Sequence, residues 1–155
     1  NVHKSFNGLP VHNGINLSIL EGEIMSLLGG SGSGKSVLLK ELIGLMKPDK
    51  GDIMVFGKNV TKMGEDELIQ LREHVGMLFQ GAALFDSLTV FENIAYPLRE
   101  HLQLTEGEIR VRVAEKLQLV GLGGIENKMP AELRGGMKTR VGLARAIATE
   151  PDTIL

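Results

Sequence analysis

One stretch of eight residues, 29–36 with the sequence GGSGSGKS, constrains this chain more than any other. It fits the pattern G-x-x-x-x-G-K-[ST], which binds the phosphates of nucleoside triphosphates. Its glycines let the chain turn tightly and bring backbone N–H groups close to phosphate oxygens. Lys35 supplies a cation for the β- and γ-phosphates, and the Ser36 hydroxyl can bind Mg²⁺. The predicted nucleotide-binding residues of this segment are Gly29, Gly30, Ser31, Gly32, Ser33, Gly34, Lys35, Ser36 and Val37.

The segments around this phosphate loop are those that the motif requires. It must follow a strand and open a helix. Residues 24–28 (IMSLL) form a short apolar run typical of a buried strand, and residues 37–46 have a helical pattern that Pro48 stops. A flexible Gly/Ser linker is the alternative, but linkers do not lie between a buried strand and an apolar helix.

Composition and charge exclude several classes of function and site. The 155 residues suit one domain, or a domain and a piece of another. Their net charge of -2 argues against a general nucleic-acid binder, which would be basic. There is no cysteine, so a disulfide framework or a thiolate metal site is excluded within these residues. No apolar run approaches the roughly 18 residues of a membrane-spanning helix. The four histidines fit no site motif, and we expect them at the surface.

The first half of the chain alternates strand and helix patterns. We expect strands at 15–19, where apolar and polar residues alternate, and at 53–56 and 75–79. Residues 65–73 are predicted to be helical. Gln80 stands where the last of these strands ends, and such positions in an open α/β sheet face the ligand crevice.

The second half is mostly helical. Residues 86–104 mix apolar and turn residues, and they form either a local core or a surface for a partner. Thr105 and Glu108 make a capping box that opens a helix, which Gly121 ends. A run rich in helix formers follows at 138–148, and a strand begins at 153. The pattern predicts an α/β fold with a mainly parallel sheet flanked by helices, and a small antiparallel part near the N-terminus.

Taken in order, these motifs resemble those of ABC-type ATPases. Phe6 occupies the position of the aromatic residue that stacks on adenine in that family, and Gln80 that of the glutamine that reaches Mg²⁺ and the attacking water. Residues 133–137 (LRGGM) are similar to the family signature L-S-G-G-Q, which caps the γ-phosphate bound to the opposite subunit of a dimer. The signature positions are Leu133, Arg134, Gly135, Gly136 and Met137. The resemblance implies a P-loop NTPase fold with a helical subdomain, ATP and Mg²⁺ as ligands, and Ser36 and Gln80 at the metal.

Three stretches are similar to ATPases of the MCE/Mla type, namely residues 29–40, 78–90 and 135–138. Those ATPases drive phospholipid movement between bacterial membranes. The resemblance therefore implies a homodimer of ATPase subunits, a membrane permease, and indirectly a periplasmic MCE lipid-binding protein. It also implies a peripheral location at the cytoplasmic face of the inner membrane.

The chain departs from the family pattern in its signature. Arg134 replaces a serine whose hydroxyl bonds the γ-phosphate across the dimer, so weakened or lost hydrolysis is expected, although a guanidinium can also bind phosphate. Val37 replaces a threonine found in many relatives and removes one hydroxyl while keeping the backbone N–H. Met137 replaces a glutamine, in keeping with the MCE-type subgroup.

The last residues of the sequence bear on the predicted domain organisation. In the family, a strand after the positions of residues 150–152 leads into an Asp and a catalytic Glu, and a histidine follows later. Residues 1–155 include none of these three. We therefore expect the chain to be part of a longer subunit and inactive by itself. We predict one ABC ATPase domain over 1–155. Its segments are a β part with the phosphate-loop core at 1–85, a helical subdomain at 86–134, and the signature helix with the next core strand at 135–155.

Three other functions stay open at this point. One is an ABC ATPase without a permease, as in DNA repair or translation, which would show long insertions or a second cassette. Another is a nucleotide-binding protein with impaired hydrolysis, suggested by Arg134. A P-loop kinase or GTPase would explain the phosphate loop but not Gln80 and the signature together.

Overall fold

The computed structural model describes all of residues 1–155, which divide into two compact units, Asn1–Leu71 and Arg72–Leu155. This division does not test the predicted segments 1–85, 86–134 and 135–155, which stay a prediction. None of the helices is long and apolar enough to cross a membrane.

The first unit begins with a β-hairpin. Strand β1 (Val2–Phe6) pairs antiparallel with β2 (Leu9–Ile15), with Phe6 opposite Leu9. The Asn7-Gly8 turn between them has positive φ at both residues, 51° and 80°, as a tight hairpin turn requires. The early antiparallel part is therefore present, but β2 ends where the predicted strand 15–19 begins. Residues 16–20 form no strand, since no neighbouring strand pairs with them.

The phosphate-loop helix, α1 (Lys35–Leu42), follows in the same unit. It is shorter than the helical pattern of residues 37–46, because the chain leaves the helix at Ile43 and Gly44 takes a left-handed φ of 67°. Strands β3 (Met54–Val55) and β4 (Lys58–Asn59) then form a small antiparallel pair, where a longer strand at 53–56 was expected. Helix α2 (Glu65–Glu73) has the predicted bounds.

The expected buried strand at residues 24–28 is wrong for this structure. These residues form no assigned strand, and the side chains of Ile24 and Leu28 are 95% and 93% exposed. A buried parallel strand needs a neighbour on each side, and no strand within residues 1–155 pairs with this one. Residues 24–28 are therefore apolar but largely exposed.

The second unit is built mainly from three helices: α3 (Val90–His101), α4 (Glu106–Leu119) and α5 (Gly135–Ala146). Their apolar faces form one core, whose fully buried members include Val90, Ile94, Leu98, Ile109, Val113, Leu117, Val141 and Ala144. Strand β5 (Val75–Gly76) pairs in parallel with β6 (Thr153–Ile154), so the strand expected from 153 is present and the one at 75–79 is shorter than predicted.

Helix α3 lies within residues 86–104, for which the sequence left a local core and a partner surface open. Thr89 caps the helix by accepting a hydrogen bond from the Glu92 N–H, and Pro97 lies inside it. The apolar groups of this segment supply core residues, and Val90 is completely buried. The capping box of α4 forms as predicted: Thr105 Oγ1 accepts from the Glu108 N–H while the Glu108 carboxylate accepts from the Thr105 N–H.

Candidate functional site

Lys35 lies at the centre of the phosphate loop. Its ammonium donates to the carbonyl oxygens of Gly29 at 2.7 Å and Gly30 at 2.8 Å, and to the Ser33 hydroxyl at 3.2 Å. The loop thus wraps around the Lys35 ammonium. Because most of the loop is exposed, this positive group lies where a phosphate can reach it.

Gly34 explains why the loop needs glycine at its end. It precedes α1 with φ 90°, a left-handed conformation that is costly for residues with a Cβ. A Cβ here would lie 2.6 Å from Val11 Cγ1 and 2.8 Å from His12 Nε2. The hairpin that carries Phe6 therefore packs directly against the end of the phosphate loop.

The start of α1 leaves its backbone donors open. The first intrahelical bond runs from the Leu38 N–H to the Gly34 carbonyl, so the N–H groups before it have no partner within the helix. No side chain caps this end and no acidic residue lies in the first turn. Open N–H groups and the positive end of the helix dipole attract an anion.

The signature residues form a second uncapped helix start. Arg134 precedes α5 as its exposed N-cap residue, without a side-chain cap, and the first turn holds no acidic residue. Gly135 and Gly136 have open space where a Cβ would lie, whereas Leu133 is buried and Met137 packs on the core. By contrast, α3 and α4 are capped by Thr89 and Thr105, and α2 has three acidic residues in its first turn. Only the two helices predicted to face phosphate lack both devices.

The other predicted site residues, Phe6 and Gln80, are both exposed. Phe6, 41% exposed, ends β1, and the Lys4 ammonium lies 5.5 Å from its ring centre. Gln80 is exposed, two residues beyond the last bond of the parallel ladder, Leu78 N–H to Leu155 carbonyl. Phe6, the phosphate loop and Val37 belong to the first unit, while Gln80 and the signature belong to the second.

The loop after Gln80 has a support that the sequence did not reveal. Gly81, Ala82 and Ala83 all have positive φ, at 72°, 67° and 44°. The Arg145 guanidinium donates to the Ala82 carbonyl at 2.7 Å and to the Ala83 carbonyl at 2.9 Å. Burial lowers the pKa of Arg145. An arginine from α5 thus offsets the cost of a strained turn that follows the glutamine.

Replacing Arg145 by alanine is expected to lower the free energy of unfolding by about 1.5–3 kcal/mol, the usual contribution of hydrogen bonds to a charged group. Amide hydrogen exchange at residues 81–83 should also accelerate, because the left-handed turn loses its clamp. Arg140→Ala is the matched control, since Arg140 lies on the same helix but donates to the carbonyls of Val120 and Gly121 instead. Equal exchange rates in the two variants would mean that Arg145 does not hold the turn.

Asn93 is a second residue that sequence reasoning missed. Its fully buried amide accepts from the Phe85 N–H and donates to the carbonyls of Phe85, Leu88 and Thr89. These four bonds fix residues 85–89 at the start of α3. Only the fold brings the partners together, so spacing in the sequence could not have found them.

The comparisons with known proteins agree with this geometry. The family model described as "ABC transporter" matches residues 12–155. Among curated proteins, the "Probable ribonucleotide transport ATP-binding protein mkl" of Mycobacterium leprae is 49% identical over 152 residues, 98% of this chain and 44% of that protein. The "Intermembrane phospholipid transport system ATP-binding protein MlaF" of Escherichia coli K12 is 45% identical over 145 residues, 94% of this chain and 54% of that protein. The chain thus spans about half the length of these relatives.

A solved structure confirms the fold class. The dimeric, post-hydrolysis state of the ATP-binding cassette MJ0796 bound to ADP and Pi matches with a TM-score of 0.93 at 34% identity. The match covers 99% of this chain and 70% of that one. The fold is therefore the predicted P-loop NTPase fold of ABC type, although only one strand pair of its parallel sheet forms within these residues. On the family match, the relatives and the structural match together, the chain belongs to the ABC transporter family of ATP-binding proteins.

Proposed function

We propose that this chain is the nucleotide-binding part of an ABC transporter ATPase subunit, which binds ATP with Mg²⁺ and hydrolyses it to drive transport. The observation that carries the proposal is the phosphate loop, with the Lys35 ammonium held at its mouth and α1 uncapped behind it. The named relatives are transport ATP-binding proteins, and the matching cassette structure is bound to ADP and Pi.

The residues present fit a phosphate-bound metal rather than a protein-held one. No cluster of three His, Cys, Asp or Glu side chains could hold a metal. Mg²⁺ is commonly bound by one or two protein groups together with phosphate oxygens and water. The Ser36 hydroxyl, exposed in the first turn of α1, can supply one such group, and Gln80 is the second candidate. Mg²⁺, when bound, neutralises charge on the β- and γ-phosphates.

The remaining roles are assigned to residues in both units. Phe6 would stack on the adenine, and the residues of the phosphate loop with Val37 would donate to the phosphates. The signature at 133–137 would meet the nucleotide of the opposite subunit in a homodimer, as the open start of α5 suggests.

The transported substrate is proposed to be a phospholipid. The relatives' names divide between phospholipid transport and ribonucleotide transport. The sequence resemblance to MCE/Mla-type ATPases favours the former and adds a membrane permease, indirectly a periplasmic MCE lipid-binding protein, and a peripheral location at the cytoplasmic face of the inner membrane. The whole protein, purified with its permease and reconstituted into vesicles, should transfer labelled phospholipid when ATP is added. Uptake of labelled ribonucleotide instead would overturn this assignment.

The surface around Phe85 is proposed to receive the permease. Phe85 and Tyr96 are 45% and 47% exposed, and their rings lie 5.3 Å apart. They line a groove of about 350 Å³ together with Phe79 and Pro97. Because Asn93 fixes residues 85–89, this apolar surface is preformed before any permease binds.

A cysteine at the exposed Ser87 position should therefore form a disulfide with a cysteine scanned along the cytoplasmic loops of the permease. Gln103→Cys is the matched control, because Gln103 is also exposed but lies beyond the other end of α3. Cross-linking from Gln103 but not from Ser87, in an assembled complex, would place the permease elsewhere.

A further inference from the structure

Two of the most deeply buried ionisable side chains are unused by the function proposed above. His12 on β2 is 2% exposed and Glu41 on α1 is completely buried. This corrects the expectation that the histidines lie at the surface. Burying an ionisable group costs free energy because it removes the group from water, so we asked what this pair contributes to the structure.

His12 contacts the phosphate loop directly. Its Nε2 lies 3.1 Å from the Gly34 carbonyl oxygen. A carbonyl only accepts, so Nε2 must carry the proton and donate it. The same oxygen accepts the Leu38 N–H, the first hydrogen bond of α1. His12 thus binds the residue at which the loop becomes helix.

The other ring nitrogen faces Glu41. His12 Nδ1 lies 3.0 Å from Glu41 Oε2, and the side chains are 1% and 0% exposed. The two atoms are at ion-pair distance but not aligned as a good hydrogen bond, and Glu41 Oε1 has no hydrogen-bond partner. At this separation, away from water, the two groups cannot hold protons independently.

We propose that His12 and Glu41 form a proton-sharing positioning pair, which fixes Gly34 in its left-handed conformation and so keeps the phosphate loop shaped for nucleotide. The pair ties β2 to α1 at two points, Gly34 and Glu41. Without the shared proton, a carboxylate would face the lone pair of a neutral imidazole, and the contact would become repulsive. The inference rests on the proposed nucleotide-binding function of the loop.

The charges around the pair set its pH range. Burial raises the pKa of Glu41 above 4.5, opposed by His12 and Lys4 and assisted by Asp49. Lys4 and Asp49 are themselves paired at 3.0 Å, and their effects on the Glu41 pKa are opposite in sign, with that of Lys4 the larger. The folded state therefore holds the Glu41 proton more tightly than the unfolded state does. The stability it contributes is present below about pH 4.5 and is lost as the pH rises through the raised pKa.

The test measures binding of a fluorescent ATP analogue to the whole protein, and the thermal midpoint of the nucleotide-free protein, between pH 5 and pH 8.5. His12→Leu removes the donor to Gly34 and is expected to weaken binding about 3- to 10-fold. His12→Gln, which can still donate, should recover most of that loss. Glu41→Gln keeps a donor toward Nδ1 but cannot titrate, so the pH dependence of its midpoint should be flatter than that of the parent protein.

Val113→Ala controls for general destabilisation, since Val113 is fully buried in the helical core of the second unit. It should lower the midpoint without weakening nucleotide binding. If His12→Leu and Val113→Ala affect binding equally, or if Glu41→Gln leaves the pH profile of the midpoint unchanged, the pair does not position the loop. Should His12→Leu fail to fold, Glu41→Gln and His12→Gln still decide.

Lys35→Ala separates this inference from the proposed function. If the parent protein binds the analogue and Lys35→Ala does not, the nucleotide site is established, and the His12 and Glu41 variants then test the pair alone. If Lys35→Ala binds as the parent does, the proposed function fails and the inference fails with it.

Discussion

Lys35→Ala is expected to weaken ATP binding by about 10- to 100-fold, the largest effect on affinity of any single change in this chain. The ammonium is the one charged group that the loop holds at its mouth, on two carbonyls and a hydroxyl. Hydrogen bonds from a charged group contribute about 1.5–3 kcal/mol, which corresponds to this range of affinity. Titration of the whole protein with a fluorescent ATP analogue measures the change.

Lys40→Ala is the matched control for this prediction, because Lys40 lies on the same helix and is exposed. It should leave the affinity within about twofold of the parent. If the two variants bind alike, residues 29–36 are not the phosphate site.

Arg134→Ser is expected to raise kcat of the whole protein by about 100- to 1,000-fold, the effect of one preorganised donor in an active site. Arg134 stands exposed at the uncapped start of α5, where its side chain makes no capping bond. A serine at this N-cap position places a short hydroxyl beside the open N–H groups of Gly135 and Gly136. In the proposed homodimer, an arginine must instead fold its long side chain between the two subunits.

The assay is phosphate release at saturating ATP, with ATP binding measured separately. Binding to the monomer should barely change, because Arg134 is not among the residues proposed to bind the subunit's own nucleotide. Arg134→Ala removes the bulk without adding a hydroxyl and should give a much smaller gain. A kcat that stays level or falls in Arg134→Ser would identify Arg134 as a working signature residue.

Local features of this protein follow closely from sequence. Residues that act on their own backbone within three or four positions, such as Thr105 and Glu108, form the predicted capping box. Helix α2 has its predicted bounds, and the run after the signature is helical. In each case the partner of a backbone group lies within one turn, so spacing along the chain suffices to find it.

Features that depend on distant partners could not be predicted. The apolar run 24–28 has a strand's composition, but a strand exists only where a neighbour pairs with it. Arg145 clamps carbonyls 62 and 63 residues away, and His12 reaches a carbonyl 22 residues away. The bounds of helix α3 could not be predicted, because Pro97 lies inside the helix and only the fold packs Phe91 against the core. The nucleotide loop could be recognised, but the groups that hold it in shape could not.

The two uncapped helix starts, α1 and α5, lead to the central claim: one binds the phosphates of its own subunit's ATP and the other meets the ATP of the partner subunit. The 155 residues contain no cysteine, so single cysteines can be introduced within them. A protein with Ser31→Cys, on the phosphate loop, is mixed with a protein carrying Arg134→Cys, before α5. A short bifunctional maleimide then reports whether the two positions meet.

We expect a cross-linked dimer of the two proteins that forms with ATP and Mg²⁺ and is absent without nucleotide. Adding Lys35→Ala to the Ser31→Cys protein should abolish it. A cross-link that forms equally without nucleotide, or none at all in proteins that bind ATP, would contradict the claim that phosphate is held between these two helix starts.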